Sequence, residues 1–277
     1  MALDSVTLDL ISLGLSEDLG PGDITSALIP EDAEGTAELV GKSDFVLAGV
    51  EAFSEVFGQI DEDIEIEFNF EEGDSITAGD TVATIEGPTR SMLSAERVAL
   101  NILQHLCGIA SHTRQCVEAI AQYPAKLVDT RKTMPGMRAL EKRAVRVGGG
   151  LNHRFGLFDG ILIKDNHIAA VGSITDAIAR AREVAHHLMK VECEVTNVRE
   201  YNEARAAGAD IVLLDNMSLA EMKIAVAQNN GRILLEASGN VTLERLPEIA
   251  ETGVDLISMG SLTHSVIASD ISLRWKK

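Results

Sequence analysis

The sequence predicts an α/β protein in which a series of parallel strand-helix units follows a smaller N-terminal sheet domain. Beyond Ala125 the chain contains six short apolar runs, and each ends in polar or small residues. All but the last precede an amphipathic helical segment, a pattern that favours parallel strands with right-handed crossovers. The repeated unit suggests an α/β barrel. A complete barrel has eight strands, so an open doubly wound sheet remains an alternative.

The N-terminal third shows the alternation of a sheet with one buried face. In "DIEIEFNF", residues 63–70, apolar and polar side chains alternate with the period of a strand. Turn signals follow at Gly73-Asp74 and Gly79-Asp80, and "TVATIEGP" ends at Gly87-Pro88. These features predict a compact antiparallel domain of the lipoyl or hammerhead kind. Its hairpins lack the exposed lysine of a swinging-arm carrier, which disfavours that function.

Three helices are predicted from periodicity and from proline. One begins near Ser91 and carries Arg97 on its polar face, which on a long helix is usually the solvated side. A second begins near Pro135, because proline is favoured at the first helical position. A third runs from about Ile174 to His187. The predicted strands of the second part are "KLVDTR", "GILIKDN", "KVECEV", "DIVLLDN", "RILLEASGN" and "DLISMGS".

Composition excludes several classes of function. With 24 basic and 43 acidic residues the formal charge is -19, which repels nucleic acid and anionic membranes. No apolar run approaches 18 residues, and the N-terminus lacks a basic flank before an apolar run, so neither export nor a membrane span is expected. Cys107, Cys116 and Cys193 form no even framework and no CxxC pair. Reduced thiols in a cytoplasmic protein are therefore expected, without a structural metal.

Positive charge is concentrated in one segment of this acidic chain. Eight of the 24 basic residues lie between Arg131 and Lys164, where an even distribution would place about three. The carboxyl ends of the predicted strands meet at one edge, where ligands bind in either candidate architecture. The residues at that rim are Arg131 and Lys132, Lys164 and Asp165, Glu194, Asp215, Ser238 with Gly239 and Asn240, and Gly260 with Ser261.

The rim residues permit more than one interpretation. The turns at "SGN" and "MGS" could be plain connections, but their place after the last two strands favours phosphate binding. Glu194 and Asp215 could pair with rim cations, or could face Mg²⁺ or ribose hydroxyls, and the sequence does not decide between these.

His153-Arg154 follows the run Gly148-Gly149-Gly150. Together with Arg131 and Lys164, the pair predicts a small acid with more than one carboxylate, because arginine grips carboxylates through two hydrogen bonds. A phosphorylated second substrate would occupy the small-residue turns.

Several longer motifs carry a resemblance to a known family. "EDLGPGDIT", "SAERVALNILQHLCGIAS", "DTRKTMPGMRALEKRAVRVGGGLNHRFGLFDGILIKDNHI", "LLDNM", "LEASGN" and "GVDLISMGSLTHS" follow one another over nearly the whole chain. In this order they resemble the quinolinate phosphoribosyltransferase family. The resemblance implies formation of nicotinate mononucleotide, diphosphate and CO₂ from quinolinate and 5-phosphoribosyl 1-diphosphate with Mg²⁺, for NAD biosynthesis.

The resemblance also implies an architecture. It is a homodimer, with larger assemblies left open, whose subunits each pair an N-terminal α+β domain with an incomplete α/β barrel of six to seven strands. The expected domains are residues 1–108, with 266–277 as an additional part, and residues 109–265.

The resemblance further implies roles for individual residues. Arg131, His153, Arg154 and Lys164 would grip quinolinate, joined by Arg97 from the neighbouring subunit. Lys132 would contact the diphosphate, and Glu194 and Asp215 the ribose and metal region. Ser238, Gly239, Asn240, Gly260 and Ser261 would bind the 5-phosphate side. Lys132, Glu194 and Asp215 are the expected catalytic residues, with Mg²⁺ held mainly by substrate and water.

Three rival hypotheses remain. A sister transferase would use nicotinate, or would be the molybdenum-associated homologue, but should depart from the "NHR" and "LIKDNH" motifs present here. A barrel aldolase would use Lys132 or Lys164 as a Schiff-base lysine, with a depressed pKa in an apolar pocket. A binding protein without turnover would sense a phosphorylated ligand.

Overall fold

The protein consists of two compact units, each assembled from separate stretches of chain. The structure, a computed structural model, describes residues 3–276; Met1, Ala2 and Lys277, which belong to the expected N-terminal domain and C-terminal segment, lie outside the described residues. Unit 1 comprises the chain up to Arg114, Thr133–Gly149 and the chain from Leu262 onward. Unit 2 comprises Gln115–Lys132 and Gly150–Ser261. The expected domains are residues 1–108 with 266–277, and residues 109–265; the units differ from these mainly because residues 133–149 belong to unit 1.

Unit 1 contains a small antiparallel sheet. Strands β1 (Glu34–Gly41), β3 (Glu65–Phe68), β5 (Thr81–Pro88) and β12 (Ile271–Trp275) pair in the order β12-β1-β5-β3. A second sheet joins β2 (Phe45–Val46) to β4 (Ser75–Ile76). Within β3 the charged Glu65 and Glu67 are exposed while Ile66 and Phe68 are half-buried, as the period-2 pattern predicts.

Unit 1 also contains α-helices. They are α1 (Ser5–Leu19), α2 (Val50–Ile60), α3 (Thr89–Ala119), of which the last residues belong to unit 2, and α4 (Arg138–Val147). The prediction of a helix starting near Pro135 is wrong. Gly136 has a φ of 82° and Met137 a φ of -93° with ψ near 0°, so residues 135–137 form a turn and the helix begins at Arg138.

The structure gives the "EDLGPGDIT" segment a local role that sequence reasoning lacked. Helix α1 ends before Gly20, whose φ is 50°. The carboxylate of Asp23 then accepts hydrogen bonds from the main-chain N–H groups of Thr25 and Ser26 and from the Ser26 hydroxyl. These contacts lower the pKa of Asp23 below its ordinary value, the Ser26 hydroxyl most strongly. Asp23 therefore organises the turn after α1.

Unit 2 is an incomplete parallel α/β barrel. Its strands are β6 (Lys126–Val128), β7 (Ile161–Ile163), β8 (Val191–Val195), β9 (Ile211–Asp215), β10 (Leu234–Ser238) and β11 (Leu256–Ser258). They pair in the order β6-β11-β10-β9-β8-β7, the cyclic order of a barrel in which β6 and β7 are not paired. Leu151 forms an isolated parallel bridge with Val128 on the β6 side of that opening. All six predicted strands, and the incomplete barrel, are confirmed.

The helices of unit 2 follow the strands in alternation. They are α5 (Asp165–Val171), α6 (Ile174–Val184), α7 (Val198–Ala206), α8 (Leu219–Asn229), α9 (Leu246–Ala250) and α10 (Ser261–His264). Helix α6 begins where predicted but ends at Val184, three residues before His187. The short α5 was not predicted. No helix in residues 3–276 is long and apolar enough to cross a membrane.

Candidate functional site

The predicted rim residues of unit 2 lie at the carboxyl ends of its strands. Arg131 and Lys132 follow β6, Lys164 directly follows β7, and Glu194 is the fourth residue of β8. Asp215 and Ser238 are the last residues of β9 and β10, and they are aligned with each other in the parallel register. Gly260 and Ser261 follow β11, and Ser261 opens α10. In a barrel this end carries the active site.

The turns after β9 and β10 form one hydrogen-bonded group. Asn216 donates from its side chain to Asp215 Oδ2 at 3.0 Å, and its main-chain N–H donates to the Ser238 carbonyl at 2.9 Å. Asn240 donates from Nδ2 to Asn216 Oδ1 at 2.8 Å. Asn216, Gly239 and Asn240 have φ values of 54°, 91° and 49°, so the backbone is left-handed at all three positions. The arrangement fixes the Asp215 carboxylate beside the "SGN" turn.

Gly239 is required by packing as well as by backbone conformation. A Cβ atom at this position would lie less than 3.0 Å from three atoms of the Asn216 side chain. The missing side chain therefore lets the two turns approach closely, as glycine does where a backbone nears a ligand or another chain segment.

Lys164 and Glu194 form an ion pair across neighbouring strands β7 and β8. The Lys164 Nζ lies 3.3 Å from Glu194 Oε2, and the lysine side chain is 49% exposed. The main-chain N–H of Lys164 donates to His167 Nδ1 at 2.9 Å, which caps the first turn of α5. This environment is the opposite of the apolar pocket that the aldolase hypothesis requires for Lys164.

The guanidinium groups of Arg131 and Arg154 influence each other electrostatically. Burial, and then the positive charge of Arg131, lowers the pKa of Arg154 below its ordinary value. Arg154 donates from Nη1 to the Gly160 carbonyl at 2.9 Å. Arg131 Nε is buried and has no hydrogen-bond partner among residues 3–276. A buried donor beside a second cation is the local feature that an anionic ligand would satisfy.

His153 is held inside the barrel by contacts on every polar atom of its ring and on its main-chain N–H. Its N–H donates to Asp129 Oδ1 at 2.8 Å, and Asp129 is fully buried. Its Nδ1 accepts from the Arg154 N–H at 2.8 Å. Its Nε2 lies 3.1 Å from Glu192 Oε2 and 3.6 Å from Glu236 Oε2. The segment that carries Arg154 is thereby tied to strands β6, β8 and β10.

Sequence reasoning missed Asp129, Glu192 and Glu236. Each lies in or directly after a short apolar strand, and each is at least 96% buried. Carboxylates are rarely so buried unless they are paired. A glutamate inside the apolar runs "VECEV" and "RILLEAS" therefore indicates a buried, paired carboxylate. Polar residues at the ends of apolar runs indicate the rim, whereas these carboxylates lie deeper in the barrel.

Four of the eight basic residues between Arg131 and Lys164 lie in unit 1. Arg138, Lys142, Arg143 and Arg146 are all on α4. Arg143 pairs with Glu72, 2.6 Å from its Nη2, and also with Glu51. The Gly148 that follows packs tightly on α3, because a Cβ there would collide with the Ala110 carbonyl and Thr113. Arg97, also in unit 1, is exposed on α3, as its place on the polar face of that helix predicts.

Comparison with known proteins gives matches over nearly the whole chain. The family model of the quinolinate phosphoribosyl transferase N-terminal domain matches residues 23–107, and that of the C-terminal domain matches residues 109–274. A Bacillus subtilis protein described as a probable nicotinate-nucleotide pyrophosphorylase (carboxylating) is 46% identical over 257 residues, which cover 93% of this chain and 89% of that protein. A Mycobacterium leprae protein described as nicotinate-nucleotide pyrophosphorylase (carboxylating) is 42% identical, over 96% of this chain and 95% of its own length.

Solved structures agree with these matches. The nicotinate-nucleotide pyrophosphorylase from Francisella tularensis superposes with a TM-score of 0.96 at 42% identity, covering 100% of this chain and 98% of that chain. NadC from Streptococcus pyogenes gives a TM-score of 0.94 at 43% identity, with all of both chains covered. The similarity therefore extends over both units.

Proposed function

The chain belongs to the quinolinate phosphoribosyltransferase family, and we propose that the strand-end rim of unit 2 is its substrate site. The enzyme is a decarboxylating pentosyltransferase that makes nicotinate mononucleotide for NAD biosynthesis. Its substrates are quinolinate and 5-phosphoribosyl 1-diphosphate. The sister transferases and the sensor hypothesis lose their support once both domain models of this family match in order.

The single observation that supports the site assignment is the pair Arg131 and Arg154. The Nε of Arg131 is buried and lacks a hydrogen-bond partner among the described residues. The positive charge of Arg131 also lowers the pKa of Arg154. Two close guanidinium groups repel each other in the free protein. A dicarboxylate bound between them replaces this repulsion with charge-assisted hydrogen bonds, which are the stronger kind.

On the acid side of the site, Arg131, His153, Arg154 and Lys164 bind the two carboxylates of quinolinate. All four lie in unit 2, at or just below the strand ends. The partner subunit's Arg97 completes this group in a homodimer. This assignment makes use of an exposed arginine that the solvated face of α3 does not otherwise explain.

On the phosphoribosyl side, the turns after β10 and β11 bind the 5-phosphate. Ser238, Gly239, Asn240, Gly260 and Ser261 supply hydroxyl, amide and main-chain donors at those two strand ends. Lys132, which is exposed after β6, contacts the diphosphate. Glu194 and Asp215 face the ribose, where their negative charge is useful when the anomeric carbon becomes positive.

Mg²⁺ fits this site as an ion held mainly by substrate and water near Glu194 and Asp215. Those two carboxylates offer the hard oxygen atoms that Mg²⁺ prefers. Among residues 3–276 they are not part of any close group of three potential protein ligands. When bound with the diphosphate, the ion neutralises charge on the leaving group.

Catalysis by the protein rests on positioning and electrostatics. The pyridine nitrogen of quinolinate attacks the anomeric carbon and diphosphate departs, so no protein nucleophile is needed. The rim cations reduce the repulsion between two anionic substrates and hold the nitrogen in line. Lys132 takes up negative charge on the diphosphate, and Glu194 and Asp215 oppose the positive charge on the ribose. The glycosylated ring nitrogen then accepts the electron pair released as the adjacent carboxylate leaves as CO₂.

Incubation of the purified protein with quinolinate, 5-phosphoribosyl 1-diphosphate and Mg²⁺ tests the reaction. Nicotinate mononucleotide and CO₂ should form in equal amounts, and omission of the metal should stop both. Turnover of nicotinate in place of quinolinate would refute the proposed substrate while leaving the phosphate side intact. Borohydride trapping of a lysine adduct would instead revive the aldolase hypothesis.

Mixed dimers test the shared site and the homodimer together. Arg97→Ala and Lys132→Ala should each abolish turnover without unfolding the chain. Mixing the two variants should restore one functional site per heterodimer. Absence of any complementation, in mixtures shown to exchange subunits, would refute the sharing of Arg97. A cytoplasmic location is also proposed, since all three cysteines are buried thiols and not disulfides.

A further inference from the structure

The interior of the barrel carries two carboxyl groups directly beneath the rim. Glu192 lies two residues before Glu194 on β8, and Glu236 lies two residues before Ser238 on β10. Side chains two positions apart on a strand share a face, so each glutamate is one layer deeper than a rim residue. Glu192 is 4% exposed and Glu236 is 1% exposed. Such burial excludes a role as a solvated surface charge.

The two carboxyl groups meet around the His153 ring. Each places its Oε2 atom near His153 Nε2, at 3.1 Å for Glu192 and 3.6 Å for Glu236. Each also has a buried Oε1 atom without a hydrogen-bond partner among the described residues. Two ionised carboxylates this close in a buried site repel strongly, and a proton shared between them relieves that repulsion.

The electrostatics of the cluster agree with bound protons near neutral pH. Burial, followed by the charge of Glu192, raises the pKa of Glu236 to about 7. Burial alone would lower the pKa of His153, but the hydrogen bond to Glu192 and the charges of both carboxylates raise it overall. The cluster therefore changes its charge near pH 7.

The ring of His153 links this cluster to a substrate-binding arginine. The Arg154 N–H donates to Nδ1, so the ring proton lies on Nε2, which donates toward the carboxyl pair. The His153 N–H is fixed by Asp129 Oδ1, and the Arg154 guanidinium by the Gly160 carbonyl. Movement of the ring would therefore move the main chain that carries Arg154.

We propose that Glu192 and Glu236 are positioning residues, a carboxyl pair that shares one proton and holds the His153-Arg154 segment in place for the quinolinate dianion. This inference rests on the proposed role of His153 and Arg154 in quinolinate binding. The inference adds that quinolinate binding requires a proton on the carboxyl pair. When Glu236 is neutral, one negative charge lies beneath the pocket. When Glu236 is ionised, a second negative charge draws the His153-Arg154 segment away from the substrate.

The charged groups around the pair come from each packed element. The charges of Glu192 on β8 and of His153 after Leu151 act on Glu236, and Ser258 on β11 lowers the pKa of Glu236. The charge of Arg154 acts on His153. The positive charge of Arg131, which follows β6, lowers the pKa of Arg154. Of these, the pKa of Glu236 is raised to about 7, and that of His153 is also raised above its ordinary value. The KM for quinolinate should therefore rise with pH through about 7, and the KM for 5-phosphoribosyl 1-diphosphate should not follow it.

Glu236→Gln tests this requirement because glutamine matches the size of a protonated glutamate, donates to Glu192 and cannot ionise. In the unaltered enzyme the KM for quinolinate should increase about tenfold between pH 6 and pH 8, as expected for one group with a pKa near 7. In Glu236→Gln the transition at this pH should vanish, with KM close to the low-pH value. Glu236→Ala should raise KM at both pH values, so that rescue by glutamine separates proton sharing from packing.

Asp210→Asn is the matched control, because Asp210 precedes β9 at the opposite end of the strands and pairs with Arg182 at 2.9 Å. It should keep the pH 7 transition in KM. Infrared spectra of the unaltered enzyme should show a carboxylic acid C=O band that titrates near pH 7 and is absent from Glu236→Gln.

Three outcomes would overturn the proposal. They are an unchanged pH transition in Glu236→Gln, the lack of a titrating acid band in the unaltered enzyme, and a stoichiometric metal ion bound by His153, Glu192 and Glu236. If the unaltered enzyme does not use quinolinate at all, the proposed function fails instead, and the infrared titration still decides whether the carboxyl pair shares a proton.

Discussion

Replacement of Gly239 by alanine should damage the phosphoribosyl side of the site in a way that backbone strain alone does not explain. Gly239 has a φ of 91°, and its missing Cβ leaves room for the Asn216 side chain. The new methyl group would push that amide aside. Asn216 would then lose its hydrogen bonds to Asp215 at 3.0 Å and from Asn240 at 2.8 Å.

The expected loss of stability in Gly239→Ala has two parts. A left-handed non-glycine residue costs on the order of 1–3 kcal/mol. Two exposed hydrogen bonds add about 0.5 kcal/mol each, at the low end of the usual range. The free energy of unfolding should therefore fall by about 2–4 kcal/mol. Displacement of Asp215 should raise the KM for 5-phosphoribosyl 1-diphosphate about tenfold or more, since tenfold corresponds to about 1.4 kcal/mol.

Gly208→Ala provides the control, because Gly208 has a φ of 87° but no atom within 4 Å of the point that a methyl group would occupy. Urea denaturation should show a smaller loss for Gly208→Ala, and its kinetic constants should remain those of the unaltered enzyme. The KM for quinolinate should change little in either variant. Equal stability of the two variants, together with an unchanged KM for 5-phosphoribosyl 1-diphosphate in Gly239→Ala, would refute this reasoning.

Three further predictions concern charge and reactivity. Lys164→Met should raise the KM for quinolinate severalfold but lower the free energy of unfolding by no more than about 1 kcal/mol, as expected for a half-exposed ion pair, measured by kinetics and urea titration. Burial raises the pKa of each of the three cysteines to about 12, so mass spectrometry should detect alkylation by iodoacetamide at pH 8 only after unfolding. Because the chain carries a formal charge of -19, kcat/KM at low ionic strength should increase as salt first screens the repulsion of anionic substrates; a steady decrease from the lowest salt would contradict this.

The six strands and their rim could be predicted because both depend on local pattern and on one rule of topology. A short apolar run that ends in a polar residue indicates a buried strand, and the carboxyl ends of parallel strands meet. The two together place Lys164, Glu194, Asp215 and Ser238 at one edge from the sequence alone. The sequence does not decide whether Glu194 is an ion-pair partner. In the structure Glu194 Oε2 lies 3.3 Å from Lys164 Nζ, so it forms an ion pair in the free protein.

Other features could not be predicted, because they depend on tertiary contacts. Proline suggested a helix at residue 135, but the positive φ of Gly136 delays its start to Arg138. That helix belongs to unit 1, whereas the other basic residues of the same stretch of sequence belong to unit 2. Neither the return of the chain to unit 1 nor the pairing of Arg143 with Glu72 has a local signal.

The buried carboxyl pair explains why counting basic residues gives an incomplete account of an anion site. Arg131 and Arg154 provide positive charge at the rim, but Glu192 and Glu236 lie beneath them and reduce it. A pocket of cations alone would bind the substrate about as tightly as the transition state, and such uniform binding does not accelerate a reaction. A proton on the pair would leave the field strong enough to hold a dianion, while the remaining negative charge would limit how tightly the site holds the product, which has one carboxylate fewer.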